Sequence, residues 1–328
     1  MLRLIVVLSY LFNLSASAEY LLYSPERKNV EPVSYYFNGA FDVIQNPYYF
    51  SQENFWKKHK ELFRRIGSPN HSIKRDGGYG KFFKDEFLTT RVVPNIGLHL
   101  IGGGYDTRLL QEYFKDKGAS FPLLYAVTVS YLAHFGNEAL ELTNSNISSH
   151  DHIADLFIFD VAAVVLFQND NVVKFFRDDL GMRHWHMQPM VESKKFDITN
   201  AGLNYIFRPD VFKSKVRPFL YLGMQTLAGG SYEFREKEFF SFAAGMALTD
   251  PLLQKGRFVT GLFYDKEDDL NWSVFMNGSE DYKIRMNLYP AFLRSRLGEF
   301  GFLIGARKGA EQVIGINYKL PLGLSYIF

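Results

Sequence analysis

Apolar side chains recur at every second position through the last third of the chain. Ile314, Ile316, Tyr318, Leu320, Leu322, Leu324, Tyr326 and Phe328 occupy one parity, while Gly315, Asn317, Lys319, Pro321, Gly323 and Ser325 fall on the other. Successive side chains of a strand point to opposite faces, so this pattern predicts a long terminal strand with one oily and one mild face. The same alternation recurs in Leu203/Tyr205/Phe207, Leu220/Leu222/Met224, Phe240/Phe242/Met246, Leu270/Trp272/Val274/Met276, Tyr282/Ile284/Met286/Leu288 and Phe300/Phe302/Ile304. The stretch GRFVTGLFYDK is a further strand of undecided facing. Turn signals separate these runs: AGGSYEFREKE, TDPLLQKG, DKEDD, NGSED, RSRLGE and KGAE. About eight strands result, which is the size of the smallest common closed membrane barrel. Closure is required in lipid because an open edge leaves backbone groups unpaired. Lys283 and Arg285 then belong to the inward parity. A soluble sandwich with its apolar parity turned inward produces the same alternation.

Upstream of residue 195 the period changes. SQENFWKKHKELFRRIG sets Phe55, Trp56, Leu62, Phe63 and Ile66 near one face of a helix, among five Lys and Arg. Such a basic amphipathic helix either packs on its own domain or rests on an anionic membrane surface. DTRLLQEYFKDKG predicts a short helix stopped by Gly118, and FPLLYAVTVSYLAHFGNEALELTNS a long apolar one. SSHDHIADLFIFDVAAVVLFQND predicts another, capped by Ser148 or Ser149, too short and too charged to span a bilayer. VSYYFNGAFDVI alternates loosely and offers extra strands that would enlarge the barrel.

The first residues add an address. Arg3, an apolar stretch from Leu4 to Leu14 and the small residues Ala16-Ser17-Ala18 form a secretory signal peptide, with cleavage expected after Ala18. The expected organisation is therefore a signal peptide over 1–18, a mainly helical periplasmic or membrane-associated domain over 19–195 and a barrel over 196–328. The fold class is α+β. The chain has no cysteine, so no disulfide framework, and a net charge of +2 argues against nucleic-acid binding. Aromatics reach 17%, as suits interfacial girdles, and a slightly negative mean hydropathy argues against a helical membrane protein.

One constellation in the helical part carries candidate chemistry. Glu138 and Glu141 share a helix face, Asp151 and Asp155 open the next helix beside His152, and His99 precedes a glycine run. His99, Glu138, Glu141, Asp151 and Asp155 are the candidate catalytic residues. Charges on apolar helices are costly unless paired, so several of them meet between helices. They form either a hydrogen-bonded seam or an acid/base site. E-x-x-E is not by itself a metal motif, and IGGGYD is not a phosphate loop, so no metal and no cofactor is expected. His184 and His186 flank Trp185 ahead of the predicted barrel and read as an interfacial aromatic segment, with a copper or zinc site as the alternative.

Two resemblances follow. The final residues resemble the C-terminal signal of Gram-negative outer-membrane proteins, carried here by Leu322, Leu324, Tyr326 and Phe328. That implies insertion by the barrel-assembly machinery and contact with outer-membrane lipid. Residues 92 to 170, with His99, GGGYDTR, FGNEALE and SSHDHIADLFIFD, resemble a helical module of uncharacterised Gram-negative envelope proteins; it implies a fold and an address, not a reaction. The first functional expectation is a non-enzymatic outer-membrane protein in envelope structure, assembly or transport. The alternative is an outer-membrane hydrolase of lipid or lipopolysaccharide with a carboxylate/His site in the helical domain. All eight histidines lie at or before His186, and no G-x-S-x-G elbow exists, so a Ser–His pair on the predicted strands is excluded.

Overall fold

The computed structural model describes residues 20–26, 30–47, 49–89, 91–142, 148–250, 255–277, 282–293, 300–307, 309, 311–318 and 320–328. The expected signal peptide lies outside them.

The first half is helical. Pro32 at the first turn and the Glu31 carboxylate, which accepts from Ser34 N at 2.6 Å, start α1 (Pro32–Ala40). The segment proposed as extra strands is thus helical. Next come α2 (Phe55–Ile66), α3 (Pro69–Arg75) and α4 (Gly78–Phe87). Leu62 and Ile66 of α2 are buried as expected, but Trp56 and Phe63 point out to solvent, so the helix covers its neighbours with a narrower stripe than its sequence suggests. Three consecutive pieces, Val92–Pro94, Asn95–Gly103 and Gly104–Asp116, form α5. The long apolar helix is α6 (Pro122–Glu141). Ser149–Ala154, Asp155–Phe159 and Asp160–Phe167 form α7, whose start is capped by Ser148 Oγ accepting from His150 N at 3.1 Å. Asp170–Lys174 and Phe175–Asp179 form α8. The middle pieces of α5 and α7 are π-helical. Wider turns of this kind are rare and often mark functional positions.

The second half is one large sheet of thirteen strands. In chain order these are β1 (Arg183–His184), β2 (Met190–Glu192), β3 (Ile198–Thr199), β4 (Tyr205–Phe207), β5 (Val216–Leu222), β6 (Gln225–Arg235), β7 (Glu238–Asp250), β8 (Lys255–Lys266), β9 (Asp269–Met276), β10 (Tyr282–Leu288), β11 (Phe300–Arg307), β12 (Gln312–Tyr318) and β13 (Gly323–Ile327). From β4 to β13 each strand pairs antiparallel with the next.

The strand number exceeds the expected eight because two expected strands are hairpins and because β1, β2 and β3 precede β4. The presumed terminal strand is a hairpin, β12 and β13, with Pro321 in its turn rather than at a bulge. The run VRPFLYLGMQTLAGG is likewise a hairpin, β5 and β6, turning at Gly223-Met224. The turn expected over AGGSYEFREKE is mostly strand, and only Glu236-Lys237 separate β6 from β7. A second difference lies at the start. β1 and β2 belong to one extended arm over 183–192, and β3 and β4 to another over 198–207. Between the paired ends, Trp185 N donates to Asn204 O at 2.7 Å and Met187 N to Gly202 O at 3.0 Å. The first arm pairs in parallel with β13, and the second pairs with β5.

The sheet is sided the opposite way to a soluble one. Phe242 and Ile304 are each 52% exposed, Phe258 and Leu324 each 60%. On the other parity Ser241, Ser273, Asn287 and Arg285 are buried beside Phe263 and Phe275. Arg285 faces inward as its parity requires, while a register shift between Tyr282 and Ile284 turns Tyr282 inward and leaves Lys283 exposed. The hairpin of the two arms contacts the helices, as do Met224 and Leu322 in the turns of β5–β6 and β12–β13. Its Trp185, Met187 and Ile206 pack with the sheet interior, whereas Leu203, Tyr205 and Phe207 pack with Tyr105, Leu109 and Ala133 of α5 and α6.

Candidate functional site

Three helices supply one buried polar centre. The π-helical piece of α5 presents His99, the last turns of α6 present His134 and Glu138, and α7 presents His152, Asp155 and Asp160. His134 and Glu138 are four apart and share a face of an ordinary helix. Asp155 and Asp160 are five apart, and the wider π turn between them lets both reach His99.

His99 stands at the middle. Its Nδ1 lies 3.0 Å from Asp160 Oδ1, and the same oxygen lies 2.8 Å from His134 Nδ1. Its Nε2 faces Glu138 Oε1 at 3.6 Å and Asp155 Oδ2 at 3.7 Å, too long for hydrogen bonds. The other oxygen of Glu138 is held by His152 Nδ1 at 2.5 Å. Glu138, His152 and Asp155 are buried, and His99 is nearly so. Glu138 Oε1, Asp155 Oδ1, Asp160 Oδ2 and His152 Nε2 have no hydrogen-bond partner among the described residues.

Electrostatics follow from this crowding. Burial disfavours a charged His99, but Asp155, Asp160 and Glu138 outweigh it and hold its pKa well above the ordinary histidine value. Burial pushes the Asp155 carboxyl well up; His99 pulls against this, and the charges of Glu138 and Asp151 reinforce it. Asp160 goes the other way: burial would raise it, but His134 and His99 draw it down to about 2. Beside the centre, a cavity of about 50 Å³ is lined by Gly103, Thr107, Ser130, Tyr131, His134 and Asp160. That suffices for a water molecule or a small ligand group.

Of the five expected residues, His99, Glu138 and Asp155 converge. Glu141 accepts from Asn137 Nδ2 at 3.1 Å beside the centre, where burial and the charges of Glu138, Asp151 and Asp155 hold its carboxyl well above the usual range. Asp151 faces Arg91 at 3.5 Å in a neighbouring cluster with Glu86. There burial, with Asp151 adding its charge against the pull of Arg91, lifts the Glu86 carboxyl to about 8. His134 was not among the expected residues; its only sequence signal was the four-residue spacing to Glu138. His152 and Asp160 were legible as polar residues on an apolar helix, but not as partners of Glu138 and His99.

A second His/carboxylate group lies on the hairpin. Asp106 Oδ2 accepts from His186 Nε2 and from Tyr205 Oη, both at 2.8 Å, and His184 Nδ1 is 3.6 Å from Asp106 Oδ1. His186 Nδ1 accepts from Asn204 N at 3.1 Å, so both its nitrogens are occupied and the group locks α5 to the hairpin. His184 sits in β1, ahead of the expected barrel start at 196, so the sheet holds a histidine although residues 196–328 hold none. His184, His186, Tyr35, Tyr105, Arg177 and Arg183 help to line a separate cavity of about 640 Å³ between the helices and the β8–β9 and β12–β13 turns. Of the expected insertion residues, Leu324, Tyr326 and Phe328 are exposed on the oily face, while Leu322 is half-buried against the cluster around Phe41 and Ile44.

No family model, curated protein or solved structure matches the chain.

Proposed function

We propose that the chain is an integral protein of a Gram-negative outer membrane, with strands β5–β13 spanning the lipid and the helices resting beside them without spanning. The exposure of the apolar parity and burial of the polar parity carry this reading. A sheet in water places them the other way, and outward aliphatics across so many strands make a patch far larger than soluble monomers tolerate. Among the described residues no single helix is long and apolar enough to cross a membrane, although the bent pair Ser149–Phe167 and Asp170–Asp179 has the length and composition together.

In this reading the sheet closes as a barrel. The two arms of the hairpin are the link, since one pairs with β13 and the other with β5. Counting each arm once beside β5–β13 gives eleven strands, an odd number. An up-and-down order of odd count meets itself in parallel, and the β13–β2 pair is parallel. This departs from the even counts of bacterial single-chain barrels.

The chain has no cysteine, so single spin labels test the address cleanly. Labels at Phe242, Ile304 and Leu324 in outer-membrane vesicles are expected to be reached by oxygen and shielded from a water-soluble relaxant. Water-exposed labels at all three, with the protein in the soluble fraction, would reject it.

A second reading is favoured by a separate observation. A structural seam pairs its buried polar atoms, and this centre leaves four without partners among the described residues. The helical half then carries a hydrolase of lipid or lipopolysaccharide, with Asp155 or Glu138 placed to activate water. Release of acyl chains or phosphate from outer-membrane lipid, lost in a folded Asp155→Asn variant, is the expected result. No release from either lipid class by the folded wild type would dismiss it.

A further inference from the structure

We infer that His99, Glu138 and Asp155 form the ligand set of a divalent first-row transition cation, of which zinc is the test ion. His99 Nδ1 is engaged with Asp160, which fixes the proton there and turns the Nε2 lone pair inward. With that proton kept on Nδ1 and the second one displaced by a cation, the Nε2 lone pair meets two carboxylate oxygens, so the three atoms can all act as ligands. The spacing is wrong for hydrogen bonds and right for ligands. For metal bonds of about 2.0–2.2 Å, the edge of a tetrahedron is roughly 3.3–3.6 Å. His99 Nε2 stands 3.6 Å from Glu138 Oε1 and 3.7 Å from Asp155 Oδ2, and the three ligand atoms lie within 4.8 Å of one another.

Two further features match a cation centre rather than a seam. Asp160 behind His99 forms the carboxylate–histidine pair that orients metal-binding imidazoles, and His152 fixes the far oxygen of Glu138. Glu138 Oε1 is an unpartnered atom on a side chain that is 1% exposed. Three protein ligands also leave a fourth position for water or substrate. The nitrogen and oxygen donors favour zinc, manganese or iron over the soft copper(I). This inference stands on the helical half alone and does not depend on the membrane address.

The experiment uses the full chain, purified in detergent, stripped with a chelator and dialysed against zinc or cobalt(II). About one equivalent of zinc is expected on the wild type by elemental analysis. Glu138→Gln and Asp155→Asn are expected to bind at least tenfold more weakly. Asp160→Asn, which leaves the three ligands in place but removes the carboxylate behind His99 and His134, is expected to lose about 10–100-fold. Folded wild type that takes up no zinc, or ligand variants that retain it as the wild type does, would overturn the inference. Should the variants fail to fold, the cobalt spectrum of the wild type decides. Intense visible bands of a four- or five-coordinate ion support it, and the weak spectrum of hydrated cobalt refutes it.

Discussion

Arg208 and Asp265 meet as two parallel prongs, Nη1 to Oδ1 and Nη2 to Oδ2 each at 2.7 Å, with the aspartate wholly buried. Arg208 follows β4 and Asp265 belongs to β8, so the pair ties the end of the hairpin to a strand four places along the sheet. The guanidinium also stacks 3.7 Å from the centre of the Phe239 ring. A buried pair is costly to break from one side, because the remaining charge has no water. Asp265→Asn alone is expected to destabilise by about 3–5 kcal/mol. The double change Arg208→Met with Asp265→Leu is expected to recover most of that loss. Urea unfolding in detergent micelles measures both. A single-variant loss under about 1 kcal/mol would mean that the pair is solvated.

Ile304 distinguishes lipid from water. It is 52% exposed on β11, with Gly305 and Leu303 buried on either side. In water, an exposed Ile→Arg change is expected to stay within about 0.5 kcal/mol. In the middle of a bilayer it costs about 2–4 kcal/mol. Ile304→Arg is therefore expected to reduce the inserted fraction strongly, as read by heat-modifiable gel migration of membrane fractions. Unchanged insertion would move the oily face out of the bilayer.

Asp42 sets a pH dependence in the helical half. It accepts from Leu203 N at 2.7 Å and from Gln45 Nε2 at 2.9 Å, and it is buried. Burial lifts its pKa to about 7, with those two hydrogen bonds pulling the other way. The folded pKa is above the unfolded one, so the folded state holds its proton more tightly. The resulting stability is fully present below about pH 4 and is lost as pH rises through about 7. Asp42→Asn keeps an oxygen for Leu203 but cannot ionise. It is expected to flatten the stability profile between those limits and to gain on the order of a few kcal/mol over wild type at pH 8. A parallel profile for both proteins would show that Asp42 does not titrate in this window.

Alternation read the faces of the sheet except at two register shifts, where Leu270 and Tyr282 turn inward, and it hid the turns. In β5–β6 the partners are Leu222 and Thr226, and in β12–β13 Ile316 and Leu324. Directly opposed residues share a face. With these registers the even positions stay on the outer face on both sides of the turn, so the pattern runs through without a break. Gly223 and the Pro321–Gly323 stretch were the signals that could have divided the runs. Leu203, Tyr205 and Phe207 marked the second arm of the 183–207 hairpin, but the first arm was hidden. Its two faces meet two interiors, with His184 and His186 at Asp106 of the helices and Trp185 and Met187 against the sheet. Glu138 and Asp155 were legible because a carboxylate on an apolar helix needs a partner. Their meeting with His99 was not, because it depends on a π-helical segment that no simple period announces.

Gly102 measures how closely helix and hairpin approach. A Cβ built there would come within 2.4 Å of the Tyr205 ring, whose hydroxyl donates to Asp106 at 2.8 Å. The methyl of Gly102→Ala would therefore push α5 away from β4 and strain that hydrogen bond. Overpacking of this kind costs about 1–3 kcal/mol. Gly80 in α4 is the internal comparison, since a Cβ there meets nothing within 4 Å and the residue is exposed. Gly80→Ala is expected to stabilise by up to about 1 kcal/mol through helix propensity alone. Opposite signs for the two changes in thermal unfolding of the detergent-solubilised protein are the expected result. A neutral or stabilising Gly102→Ala would mean that α5 and the hairpin are not in contact at Tyr205.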